Sequence, residues 1–231
     1  MSDNHSIDVR PFYFSQMVVS PENDEKVYFL SFSLMESDDG GKTVHDADKG
    51  VHPDHHALWI DPESPQRMIQ GNDGAVYLSS DGAGTWRFLR NLPIEQFYTV
   101  STDTSTPYNL CGGLQDNDAW CGPSNSLTRG GISGTDWFIV AGGDGQYAVP
   151  APSDPSVIYA DSQEGFIVRM DKRTHVERFV RPYLAGAQDM PRSELKYRFN
   201  WTTPIAERGQ ERDSCQLFSS GMIIYKEKGG I

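Results

Sequence analysis

Three aspartates stand in settings that could support acid–base chemistry. Asp54 lies in the run Val51-His52-Pro53-Asp54-His55-His56, Asp73 follows Asn72 and precedes Gly74, and Asp144 sits in Gly142-Gly143-Asp144-Gly145-Gln146-Tyr147. One carboxylic acid and one carboxylate flanking a glycosidic bond can hydrolyse it, as proton donor and as base or nucleophile, and their separation sets the stereochemical outcome. Residues that would complement a sugar accompany them: His52, His55, Asn72, Gln115, Asp116, Asn117, Gln146, Tyr147 and Trp201. Amides and carboxylates pair with hydroxyls, and an aromatic face stacks on the apolar side of a sugar ring. The competing reading is structural, because Asp and Asn cap turns and tolerate left-handed backbone, so any one of these residues is first a turn residue. Only their convergence on one face raises the functional reading.

The histidine-rich run is also the densest group of potential metal ligands. On a strand, His52, Asp54 and His56 would share a face, as neutral imidazoles and a carboxylate must to bind Zn²⁺. No second ligand group is identifiable by spacing, so hydrogen bonding is the default role. Neither a metal nor a cofactor is expected.

The elements that must position these residues are legible as an internal repeat. Ser37-Asp38-Asp39-Gly40-Gly41-Lys42-Thr43-Val44 and Ser79-Ser80-Asp81-Gly82-Ala83-Gly84-Thr85-Trp86 share one pattern. Its logic is a hairpin turn: Ser37 and Asp39, or Ser79 and Asp81, bond turn amides, Gly41 supplies positive φ, Thr43 or Thr85 closes the loop, and Trp86 anchors it in the core. Upstream of each, an apolar strand ends at a proline turn, at Pro21 and Pro62, and the same element recurs at Asp103 and Pro152. A degenerate third box, Arg169-Met170-Asp171-Lys172-Arg173-Thr174, follows Pro152.

The period is roughly 41 to 49 residues, which predicts an all-β chain of β-propeller blades, four-stranded antiparallel sheets with Asp-box hairpins. About four blades and a partial fifth are expected within a single partial domain, 1–231, at approximately 10–50, 51–92, 93–136, 137–182 and 197–231. Residues 185–198 read as a loop insertion with one helical turn. The chain stops inside a worn box at Gly229-Gly230-Ile231, which suggests a fragment of a longer protein.

Blade topology converts the repeat into geometry. If strand 1 runs from one face to the other, strand 2 returns, so the 2–3 loop joins the start of strand 1 and the 3–4 Asp-box turn falls at the opposite end. Tyr13, Asp54, Glu95 and Asp144 then open the first strands. Asn72 and Asp73, Gln115 to Asn117, and Gln163 and Glu164 fill the 2–3 loops beside them. Asp54 and Asp144, at equivalent positions two blades apart, are the favoured carboxylate pair, with Asp73 third.

Composition narrows the partners. With 20 Lys+Arg against 32 Asp+Glu and a formal charge of −12, the chain has no electrostatic footprint for nucleic acid or an anionic membrane. No apolar run is long enough to insert in a membrane, and the polar start MSDNHSIDVR is no signal peptide. Of three cysteines, Cys111 and Cys121 flank Gly112 to Trp120, where two hairpin strands could oppose them. A cross-strand disulfide and two buried thiols are both compatible, and the thiols are favoured.

The segments SDDGGKT, HHALWIDPESPQRMIQGNDGAVYLSSDGAGTW, GGLQDNDAWCGPS and DWFIVAGGDGQY resemble the large bacterial proteins with BNR/Asp-box repeats, glycosyl hydrolase-like and related to xyloglucanase-type enzymes and to the sortilin Vps10 domain. The resemblance implies a secreted, periplasmic or cell-envelope parent protein with further propeller blades. It implies a carbohydrate ligand that is hydrolysed or bound, or, in a non-catalytic sortilin-like role, a peptide, protein or glycan. The catalytic hairpin of the xyloglucanase-like relatives has its nearest counterpart here at Asp73. A sialidase would need an arginine triad, and no Arg falls at the strand-opening positions.

Overall fold

The computed structural model describes residues 4–92, 95–180, 191–197, 199–207, 214–218 and 222–226. The chain divides into two compact units, Met1–Ile94 and Glu95–Ile231. Among the described residues the regular structure is strand, with short 3₁₀ turns only.

Unit 1 holds two antiparallel four-stranded meanders, both built as propeller blades. The first is β1 (Gln16–Val19), β2 (Val27–Leu30), β3 (Leu34–Ser37) and β4 (His45–Asp46); the second is β5 (His55–Ile60), β6 (Met68–Asn72), β7 (Val76–Ser79) and β8 (Arg87–Phe88). Alternation sorts their side chains between faces. Tyr28, Leu30 and Leu34 of the first sheet and Ile60 and Met68 of the second are sealed into one core with Ala47 and Ala83, and Trp86 packs against it. Each fully buried aliphatic side chain there contributes roughly 1.5–3 kcal/mol.

The two repeat turns have the same hydrogen-bond network. Ser37 Oγ accepts from the Gly41 amide at 2.8 Å, and Asp39 accepts from the Thr43 amide and hydroxyl at 2.8 and 2.7 Å. Ser79 Oγ accepts from the Ala83 amide at 3.0 Å, and Asp81 accepts from the Thr85 amide and hydroxyl at 2.8 and 2.7 Å. These bonds hold both carboxyls below the ordinary carboxylate range. Trp86 anchors the second turn by donating its indole N–H to Ala47 O at 2.7 Å.

Unit 2 holds the third sheet, β9 (Phe97–Thr102), β10 (Asn109–Leu114), β11 (Ala119–Pro123) and β12 (Phe138–Ala141), and the fourth, β13 (Ala148–Ala151), β14 (Asp154–Ser162), β15 (Phe166–Asp171) and β16 (Val176–Phe179). The third sheet thus runs to Ala141, past the blade boundary expected at 136. Its first strand adjoins that of the fourth, with Thr99 Oγ1 donating to Gln146 O at 2.6 Å and Ser101 Oγ to Ala148 O. A three-stranded sheet follows, β17 (Ile205–Glu207), β18 (Ser214–Phe218) and β19 (Met222–Lys226). Residues 185–190 of the expected insertion and the box at 229–231 lie outside the described residues; Arg192–Glu194 form a 3₁₀ turn.

Cys111 and Cys121 are disulfide-bonded, which corrects the preference for free thiols. The reason is register: the β10–β11 pairing sets these two residues directly opposite each other. Both sulfurs lie in a core that includes Ala119, Val140, Ile158 and Met170.

Candidate functional site

The start of each first strand and the following 2–3 loop meet at one sheet end because the strands are antiparallel. In the second sheet His55 pairs with Asn72, so Asp54 and Asp73 are brought side by side. The Asp73 amide donates to Asp54 O at 3.2 Å, and the amides of Asp54 and His55 reach across to Phe32 O and Ser31 O at 2.9 and 2.8 Å. Asp54 itself adopts left-handed backbone, φ 62°, which an Asp tolerates.

The two carboxylates have different partners. Asp54 Oδ1 accepts from Arg10 Nη1 at 3.1 Å, while Asp73 Oδ1 lies 2.8 Å from His56 Nε2. Burial raises the proton affinity of Asp54; the Arg10 guanidinium opposes the shift, and the neighbouring Asp73 charge adds to it. The net direction is upward, which favours a proton-donating form. The His56 ring is held edge-on by Tyr13 and Phe14, with centroids 5.4 and 5.2 Å away. Tyr13 is exposed and Phe14 buried, so the segment before β1 forms a wall of this site.

Arg10 is the residue that the sequence missed. It lies at the very edge of the first blade, ahead of its strand-opening residue Tyr13, so periodicity gave no signal. It is placed by the Val9 amide donating to Ser31 Oγ at 3.1 Å and by the rings of Phe14 and Phe32, whose centroids lie 6.0 and 5.6 Å from its guanidinium carbon.

Other residues expected at this end turn inward. His55 is fully buried, with Nδ1 2.7 Å from Gln70 Oε1 and Nε2 3.2 Å from Asp48 Oδ2, which leaves it no surface to offer a ligand. Asn72 closes the β6–β7 turn, accepting from the Gly74 and Ala75 amides at 3.1 and 2.8 Å and donating to His52 O at 2.7 Å. The His52 ring lies over Gly74, where a Cβ would fall 2.4 Å from its Cγ. The shared strand face imagined for His52, Asp54 and His56 does not exist, because β5 begins only at His55. Among the described residues the group of three with ligand atoms within 4.8 Å of one another is Glu36, Asp38 and His45, and there Lys26 Nζ already sits 2.5 Å from Glu36 Oε1.

The equivalent end of unit 2 is bound up in its own loops. Asp144 Oδ1 accepts from the Asp116 amide at 2.6 Å, and the Asp144 amide donates to Gln163 Oε1 at 2.9 Å. Asp118 Oδ1 accepts from the Gly143 amide at 3.0 Å. Asn117 donates to Gln115 O at 2.9 Å and accepts at its own carbonyl from the Trp120 indole at 2.7 Å. Gln146 is fully buried, its Oε1 accepting from Thr202 Oγ1 at 2.9 Å, and Tyr147 gives its amide to Asp161 Oδ1 at 2.8 Å. Trp201 is 53% exposed and remains a ring that a ligand can reach. Asp144 belongs to this unit, so the carboxylate that the structure sets beside Asp54 is Asp73. Asp161, which the sequence did not single out, is fully buried, and burial pushes its carboxyl up to about 8 against the amide bond from Tyr147.

The chain matches no protein-family model and no curated protein. Among solved structures it is similar to the GH74 xyloglucanase from Xanthomonas campestris, at 14% identity and a TM-score of 0.33, covering 90% of this chain and 35% of that one. The Niastella koreensis GH74 enzyme matches at 13% identity and a TM-score of 0.36, over 87% of this chain and 33% of that one. A third, YCF48 bound to D1 peptide, matches at 10% identity and a TM-score of 0.36, over 93% and 82%. The chain spans about a third of the length of the GH74 structures it matches. No helix among the described residues is long and apolar enough to cross a membrane.

Proposed function

We propose that this chain is part of a BNR/Asp-box propeller protein of glycosyl hydrolase-like kind, and that the Asp54–Asp73 end of unit 1 is its carbohydrate site. The observation that carries the reading is the pairing of two adjacent carboxylates in unlike environments. Asp54 is buried with raised proton affinity, and Asp73 faces an imidazole. Acid and base assignments follow where environments push paired groups apart. Asp54 is the proton donor to the leaving oxygen, and Asp73, oriented by His56, is the base or nucleophile. Tyr13 offers an exposed ring for the sugar. The parent protein is a secreted or cell-envelope protein with further blades.

The Arg10 and His56 contacts also suit a second reading, in which the same carboxylates recognise a peptide, protein or glycan without chemistry. The test is hydrolysis of a panel of polysaccharides, read as new reducing ends, by the wild type and by Asp54→Asn and Asp73→Asn. Cleavage that both variants lose supports the enzyme reading. Cleavage at full rate in both variants removes these residues from the mechanism. Retention of a glycan or peptide without cleavage favours the binding reading.

A further inference from the structure

One cation at the unit 1 site, Arg10, has no part in the acid and base roles of Asp54 and Asp73 on a neutral sugar. In a chain with 20 Lys+Arg, 32 Asp+Glu and a formal charge of −12, Arg10 nevertheless stands against Asp54, beside the charge of Asp73. Arg10 reaches Asp54 through one contact, Nη1 to Oδ1 at 3.1 Å, and its side chain is 44% exposed. A guanidinium presents five donors in a planar fork that matches a carboxylate two bonds at a time, so this single contact leaves most of that capacity unused. The rings of Phe14 and Phe32 flank it, with centroids 6.0 and 5.6 Å from its guanidinium carbon.

We propose that the ligand of this site is an acidic glycan, a chain containing uronic acid residues, and that Arg10 receives the sugar carboxylate in a two-bond clamp. The proposal rests on the carbohydrate reading above and names its substrate class. In the free protein Asp54 holds Arg10 in place. A sugar carboxylate that draws the guanidinium to itself leaves Asp54 buried without its cation, beside the negative Asp73. Ligand binding thereby shifts Asp54 toward the protonated form that a general acid requires. The groups that set this balance are Arg10, Asp73, His52 and His56. Tyr13, 57% exposed and next to His56, is the platform for the ring that carries the carboxylate.

The experiment is a calorimetric comparison on the full chain, using trigalacturonate and trimannuronate against galactotriose and mannotriose. The expected result is that at least one acidic trisaccharide binds about tenfold or more tighter than its neutral counterpart, and that added salt weakens the acidic ligand selectively. Arg10→Met brings the acidic-to-neutral ratio near one, and Arg10→Lys, which keeps the charge but loses the fork, recovers part of it. Thermal unfolding of each variant shows that it is folded. Equal affinity for acidic and neutral sugars, or a preference that Arg10→Met retains, overturns the proposal and leaves the carbohydrate reading standing. Binding of no trisaccharide by the wild type counts against both.

Discussion

The two units present equivalent sheet ends and use their carboxylates in opposite ways. In unit 1, Asp54 and Asp73 face the side chains of Arg10 and His56, which a ligand could displace. In unit 2, Asp144 and Asp118 face the backbone amides of Asp116 and Gly143, which fix the loop conformation. A carboxylate that accepts from a main-chain amide is part of the scaffold, and removing it costs stability. One that pairs with a part-exposed side chain such as Arg10 costs less to remove, because a part-exposed ion pair contributes modestly. The same residue type at the same repeat position can therefore be structural in one blade and available for chemistry in another.

The largest expected effect is on activity. If the unit 1 pair is catalytic, Asp54→Asn lowers the rate of glycan cleavage by about 10²–10⁴-fold, with a change in stability under about 1 kcal/mol. Asp144→Asn should behave in the reverse way, costing about 1–2 kcal/mol in denaturant unfolding and leaving the rate near wild type. Equal rate losses in the two variants would break the comparison.

Asp161 sharpens it from the side of stability. Its folded carboxyl lies near 8, above the ordinary 3.8, so the folded form holds its proton more tightly than the unfolded chain does. That contribution is fully present below about pH 4 and is lost as pH rises toward 8. Asp161→Asn, which cannot ionise, should gain on the wild type across that window, by on the order of 5 kcal/mol at its upper end in thermal unfolding followed against pH. A constant difference at all pH values would show that Asp161 ionises normally.

Smaller effects concern the scaffold. Reducing the Cys111–Cys121 bridge, which closes a loop with a sequence separation of 10, should lower stability by about 2–3 kcal/mol, measured by urea unfolding with and without reductant. Ser79→Ala removes a buried acceptor for the Ala83 amide and should cost about 1 kcal/mol without touching ligand binding, since the turn lies at the sheet end away from Asp54.

The repeat made the strands and turns legible because its residues act locally: Ser37, Asp39 and Thr43 bond within seven positions, and the pattern is the geometry. The same reasoning placed Asp54 and Asp73 at one sheet end, since antiparallel pairing alone brings them together. It did not locate Arg10, whose contact with Asp54 spans 44 positions. It also misjudged His55 and Gln146, because a polar residue at a strand start can point to solvent or be sealed among polar partners, and only packing decides. The disulfide needed the strand register, which the spacing of Cys111 and Cys121 left open by a residue or two.

The contrast between the units is tested most directly by carbon NMR of the aspartate carboxyl groups in the full chain during titration with an acidic oligosaccharide. The account predicts shifts at Asp54 and Asp73, accompanied by the His56 ring, with Asp144 and Asp118 unmoved. Shifts confined to Asp116, Asp118 and Asp144, with Asp54 and Asp73 silent, would place the ligand on unit 2 and contradict it.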